Sequence, residues 1–278
     1  MSFGPRPWQQ RHWDFRAALN FMLGGTGAGL LAAAAVSAQS GGLLRAQILI
    51  GLALIGAGLT SVWFELGRPL RAFNVCFNPF TSWMTRESFF AGLVFVSGLG
   101  AAWTGHVALV LACAIAALVF VYCQGRMLRA AKGIPAWREP AVVALIVTTG
   151  LVEGAGSALL VLALGGAGSA SLIGLFVLAL LARAFAWSVY RGRIARGGRG
   201  PALSILEGAG KPMIQIGTIA ALALLPTRLI APDLAGMALL LSVGAALATG
   251  WRLKFVLITR AAFNQGFSLP HLPVRGSR

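Results

Sequence analysis

HVALVLACAIAALVFVYCQ, residues 106–124, runs for nineteen residues without a charged side chain. A helix needs about 20 mostly apolar residues to cross roughly 30 Å of hydrocarbon, so this stretch reads as a membrane span. Working outward, seven more runs of the same kind lie near 17–38, 47–64, 88–104, 140–165, 170–190, 212–231 and 233–258. Inside a bilayer each can satisfy its own backbone groups only as a helix. The expected fold is all-α, a polytopic bundle of eight transmembrane helices in two four-helix halves. Segment 1–16 precedes the bundle, 17–258 forms it, and 259–278 is a tail. Composition agrees. Of 278 residues, 58% are hydrophobic and 11% charged, against about 25% charged in a soluble domain, and the mean hydropathy is +0.80. No room remains for a soluble catalytic domain.

The formal charge is +16. In a soluble protein that excess would suggest nucleic acid; in a membrane protein it reports sidedness. Twenty of the 23 basic residues fall in the N-terminal segment, in the loops after the second, fourth and sixth spans, or at the last helix end and tail. Arg45 and Arg228 stand on the other side, and Arg183 lies within the sixth span. This bias predicts a multi-pass protein of a bacterial inner membrane with both termini and the long loops in the cytoplasm, and no nucleic-acid partner. Trp8, Trp13, Trp63, Trp83, Trp137, Trp187 and Trp251 fall near the basic boundaries and Trp103 near the opposite one, as interfacial Trp does. Long basic loops on one face suit a protein partner or anionic lipid headgroups.

Few residues can carry chemistry. The three histidines, His12, His106 and His271, sit outside the span centres, whereas haem held across a bundle usually takes His or Met from facing helices. No haem is expected. Cys76, Cys113 and Cys123 do not make a four-ligand set, and no metal site is expected. The glycines of GGTGAG (24–29) and GAGSALL (154–160) lie inside apolar runs and read as close helix packing.

The polar exception is ELGRPLRAFNVCFNPFTSWMTRE (65–87), between the second and third spans. It reads either as an interfacial loop with Glu–Arg pairs or as a pocket between two helix ends. In the second reading Glu65 and Glu87 are the proton-moving carboxyls of a quinone site. Quinone reduction takes up two protons with two electrons, and Arg68, Arg71, Asn74, Trp83 and Arg86 supply polar and aromatic groups to hold the headgroup. His12 and Asn20 are further candidates for it. Glu153, inside the fifth span, is a functional or structural acid with Arg183 as its possible partner.

ELGRPLRAFN (65–74) followed by TSWMTRE (81–87) resembles the signature of NrfD/DmsC-like membrane anchor subunits of dimethyl sulfoxide reductase-type complexes. The resemblance implies an anchor that exchanges electrons between a quinone, ubiquinone or menaquinone, and an iron–sulfur subunit. That subunit in turn serves a molybdopterin or tungstopterin catalytic subunit. Where members of the dimethyl sulfoxide reductase kind carry a quinol-associated His before Leu-Gly, this chain has Glu65; the acid opening the next helix is kept as Glu87. GPRPWQQRHWDFRAALNF (4–21) and TRAAFNQGFSLPHLPVRG (259–276) are similar to anchors of phenylacetyl-CoA:acceptor oxidoreductases. A CoA thioester is a cytoplasmic substrate, in keeping with the basic side. A cytoplasm-facing sulfite dehydrogenase would fit the topology equally, and a small-molecule or ion transporter or a purely structural anchor is the rival class.

Overall fold

The structure is a computed structural model and describes residues 7–37, 40–64, 80–197 and 201–266. Four expected site residues, Glu65, Arg68, Arg71 and Asn74, lie outside the described residues. In chain order the helices are α1 (Phe15–Val36), α2 (Gly41–Trp63), α3 (Trp83–Thr104), α4 (Val107–Ala130), α5 (Pro135–Arg138), α6 (Ala141–Leu164), α7 (Ala170–Arg196), α8 (201–224), α9 (Thr227–Ile230) and α10 (Pro232–Arg260). Seven of them, all but α5, α8 and α9, are long and apolar enough to cross a membrane. Among the described residues the one extended pairing is an isolated bridge between Gln9 and Phe263.

The expected run at 212–231 is displaced. Its helix, α8, begins at Pro201 and has ended before Pro226, beyond which α9 is a separate turn. Hydropathy alone passes over its first half because of Glu207 and Lys211. Leu206, Ala209 and Met213 are nevertheless buried, at the three- and four-residue spacing that gives a helix an apolar face.

Helix α1 lies centrally against α2, α4 and α6, while α3 pairs with α4. Helix α6 also packs on α7 and α10, and α10 on α8. The α1–α6 seam is the tightest backbone approach among the described residues: a Cβ on Gly154 would stand 1.9 Å from the Gly29 carbonyl carbon and 2.1 Å from the Leu30 nitrogen. Small residues allow this contact where lipid gives helices no hydrophobic drive to associate.

In the second group of helices the apolar core is in two parts. Trp187, Tyr190, Leu206, Met213 and Leu253 belong to one cluster; Phe176, Leu180, Ala221, Val243 and Ala246 belong to the other. Between them stand Thr149, Glu153, Arg183, Thr218, Thr249 and Lys254, all buried. Three helices widen into π turns, at Asn20–Gly24 in α1, Gln215–Ala220 in α8 and Val256–Arg260 in α10. Such turns disturb the regular hydrogen-bond ladder and recur at functional sites. In α8 the cause is visible in the sequence, since Pro212 has no N–H and crowds the preceding turn.

The two described ends of the chain meet. Gln10 N–H donates to Ala262 O at 2.9 Å and Asn264 N–H to Trp8 O at 3.0 Å. Asp14 caps α1, accepting from Arg16 N–H at 2.7 Å, and the Arg16 guanidinium holds its carboxyl below the usual range. Not every Trp near the basic boundaries is exposed: Trp137 is only 3% exposed and Trp187 5%. Trp137 is buried because its indole N–H donates to Leu257 O at 2.8 Å and its ring packs on Trp13, which satisfies the polar atom away from water.

Candidate functional site

Ser82 caps α3 by accepting from Thr85 N–H, which starts the helix four residues before Glu87. The first turn therefore carries Trp83 and Arg86 at the end of the bundle and sends Glu87 inward, to 5% exposure. Asn20 opens the π turn of α1, and its side-chain N–H donates to Glu87 Oε1 at 3.2 Å. Gln124 of α4 is fully buried; it donates to the Asn20 backbone carbonyl at 3.1 Å and also faces the Glu87 carboxyl. Three helices thus converge on one carboxyl group. Asn20 Oδ1 and Gln124 Oε1 remain without a hydrogen-bond partner, although buried acceptors are normally satisfied.

One turn from Glu87 along α3, the Trp83 ring is covered by two guanidinium groups, Arg86 at 4.2 Å and Arg126 at 4.1 Å from its centroid. Tyr122 meets the ring edge-on at 6.0 Å and accepts from Arg126 at 2.6 Å. Cation–π contacts of this kind contribute about 0.5–2 kcal/mol each, so the rim is held in shape. It offers a flat aromatic surface and positive charge beside a buried carboxyl. Of the expected residues, the structure brings together Glu87 with Asn20, and Trp83 with Arg86. His12 is exposed in the segment before α1. Gln124 was not anticipated; a lone Gln near a span end carries no distinguishing signal.

The second polar centre lies deeper. Glu153, in the middle of α6, is paired with Lys254 of α10, not with Arg183 as its place in the sequence suggested. Lys254 Nζ stands 2.6 Å from Glu153 Oε2, with the two side chains 1% and 0% exposed. Thr26 donates to the same oxygen at 2.8 Å and accepts from the Trp251 indole at 3.0 Å. Arg183 instead donates to Ala246 O at 2.9 Å and to Gly217 O, within the π turn of α8, at 2.7 Å. Lys254 sits inside the apolar run 233–258, and that placement was the signal that could have found it. Among the described residues, no three His, Cys, Asp or Glu side chains converge as a metal site requires.

At the end of the bundle where the chain ends meet, a groove of about 810 Å³ is lined by Pro7, Arg138, Glu139, Arg193, Pro201 and Asn264, among others. Arg193 pairs with Glu139 at 3.2 Å across it. The groove thus joins the segment before α1, the α4–α6 connection, the α7–α8 connection and the residues after α10.

Seven apolar spans around a buried polar interior define a multi-pass helical membrane protein. The family model of the DMSO reductase anchor subunit (DmsC) matches residues 24–196, and the chain belongs to that family. The match takes in the 65–87 segment and Glu87 but not the stretches 4–21 and 259–276 that carry the finer likeness. No curated protein matches the chain.

Proposed function

We propose that this chain is the quinone-reactive membrane anchor of an iron–sulfur molybdoenzyme that faces the cytoplasm. It would pass electrons from an iron–sulfur subunit to ubiquinone or menaquinone in a bacterial inner membrane. The observation that carries the reading is the buried Glu87–Asn20 pair beside the cationic rim of Trp83. With α8 counted as the seventh of eight spans, both chain ends fall on the side that bears most of the basic residues, which is cytoplasmic by the distribution of charge. The iron–sulfur subunit would dock on the groove end and carry a molybdopterin or tungstopterin catalytic subunit. The likeness of 4–21 and 259–276 to phenylacetyl-CoA:acceptor oxidoreductase anchors supports phenylacetyl-CoA as its substrate. Solute transport is the weaker reading, because membership of an anchor family argues for a docking and electron-transfer role.

In this reading quinone is the substrate. Each carbonyl oxygen must gain a proton as two electrons arrive from the partner. Glu87 holds one such proton and Asn20 orients the carboxyl. Trp83 and Arg86 offer the headgroup a stacking surface and positive charge, and Glu65, Arg68, Arg71 and Asn74 supply the remaining contacts. Glu87→Gln keeps size and hydrogen bonding but loses the titratable proton. In the assembled complex it should slow quinone reduction roughly 10²–10⁴-fold while turnover with a soluble dye at the partner subunits is unchanged. A wild-type quinone rate would refute the assignment.

A further inference from the structure

Two protons are needed per quinone, yet among the described residues Glu87 is the one buried acid at the rim. The polar groups do not stop there. Gln124, bonded to Asn20, presents a buried oxygen with no partner. A Cβ on Gly25 would lie 3.8 Å from that oxygen and 2.5 Å from Lys254 Nζ, so the amide oxygen and the ammonium border the same glycine without a hydrogen bond between them. Lys254 in turn holds Glu153 Oε2. Beyond Glu153 the backbone contact of Gly154 with Gly29 and the buried Leu30, Ala33 and Ala155 border the thread. Polar groups thus lead inward from the rim to a buried cluster at mid-bundle, where a proton can be stored.

The charges in the store are uneven. Lys254 and Arg183 are two cations with Glu153 as the one carboxylate, all buried, so the cluster carries one net positive charge. Burying an uncompensated charge is costly. Departure of one proton from Lys254 leaves Glu153 and Arg183 balanced. They border the same glycine, since a Cβ on Gly250 would stand 2.7 Å from Glu153 Oε1 and 3.2 Å from an Arg183 terminal nitrogen. Arg183 cannot make the donation itself, because a guanidinium does not deprotonate in proteins.

We propose that Lys254 supplies the second proton of quinone reduction at the Glu87 site, the open amide oxygen of Gln124 accepting its N–H as a hydrogen bond on the way; this rests on the quinone-reducing reading above. Quinone takes two electrons from the reduced iron–sulfur subunit. One O–H bond forms as the Glu87 carboxyl loses its proton, and the other as an N–H bond of Lys254 breaks. The products are quinol, a Glu87 carboxylate and a neutral Lys254 amine. Both groups regain protons from the solution at the rim before the next quinone.

The test uses the assembled complex with a short-chain ubiquinone. Lys254→Met with Glu153→Leu removes both charges and leaves the cluster's net charge as it was, on an Arg183 already bonded to two carbonyls. Lys254→Arg keeps the positive charge and the pairing but cannot release a proton. Both should assemble, turn over dye normally, reduce quinone about 10²-fold more slowly and accumulate a semiquinone radical seen by electron paramagnetic resonance. If either assembled variant reduces quinone at the wild-type rate without that radical, Lys254 is a structural residue and the proposal is overturned. Should Glu87→Gln also run at the wild-type rate, the quinone site itself is misplaced; a slow Glu87→Gln beside a fast Lys254 variant removes only Lys254.

Discussion

Substituting Gly154 with Ala adds one methyl group at a place where only backbone stands to receive it. The new carbon would lie 1.9 Å from the Gly29 carbonyl carbon, 2.1 Å from the Leu30 nitrogen and 2.3 Å from the Gly29 Cα. Reaching ordinary van der Waals distance requires α1 and α6 to part by about 1.5 Å. A gap of even 0.5–1 Å forfeits about a quarter to a half of the dispersion attraction across it, and this seam runs along the centre of the bundle. Overpacking costs about 1–3 kcal/mol where side chains can yield; backbone cannot, so Gly154→Ala should cost about 3 kcal/mol or more. Gly174→Ala is the matched control, because its Cβ would meet nothing within 4 Å and the better helix former gains up to about 1 kcal/mol. Unfolding in detergent micelles with added denaturant, followed by Trp fluorescence, compares the two. Equal midpoints would refute the close-seam argument.

Two further outcomes are expected. Glu153→Gln alone leaves Lys254 and Arg183 buried without a carboxylate and should destabilise the bundle by about 3–5 kcal/mol in the same micelle assay; an unchanged midpoint would mean the pair is not buried as described. A reporter fused after Arg278 should read as cytoplasmic and one inserted at Gly168 as extracytoplasmic. The reverse pattern would remove the grounds for a cytoplasmic partner.

The sequence made the long helices legible because apolar length is a local property. Runs such as 106–124 and 140–165 reappear as α4 and α6 with ends shifted by a few residues. Helix α8 was harder to place, since Glu207 and Lys211 interrupt the hydropathy while the apolar spacing of Leu206, Ala209 and Met213 continues through them. In the candidate site, Glu87 stood out as a rare acid in an apolar chain. Its bond to Asn20, 67 positions away, depends on how α1 and α3 pack and on a π turn that has no sequence marker. The same holds for Glu153. An intramembrane acid is conspicuous, but the choice of Lys254 over Arg183 is made by the rotation of α10 against α6. Trp137 stands beside basic residues in the sequence, and only the fold reveals the carbonyl of Leu257 that lets its indole be buried.

The π turns make chain length inside a helix a constraint of its own. Each residue advances an α-helix by about 100° and 1.5 Å, so the wide turn at Asn20–Gly24 resets the direction in which all of α1 beyond it faces. Closing that turn to regular α geometry with the same residues would swing Thr26 off Glu153 and Gly29 off Gly154 together, with every side chain's chemistry intact, whereas deleting one residue along with it would leave their facing almost unchanged. Two relatives with the same interior could then differ in residue count within α1, α8 and α10 only by a residue that such a wide turn takes up. Their other differences in length would be confined to the connections outside.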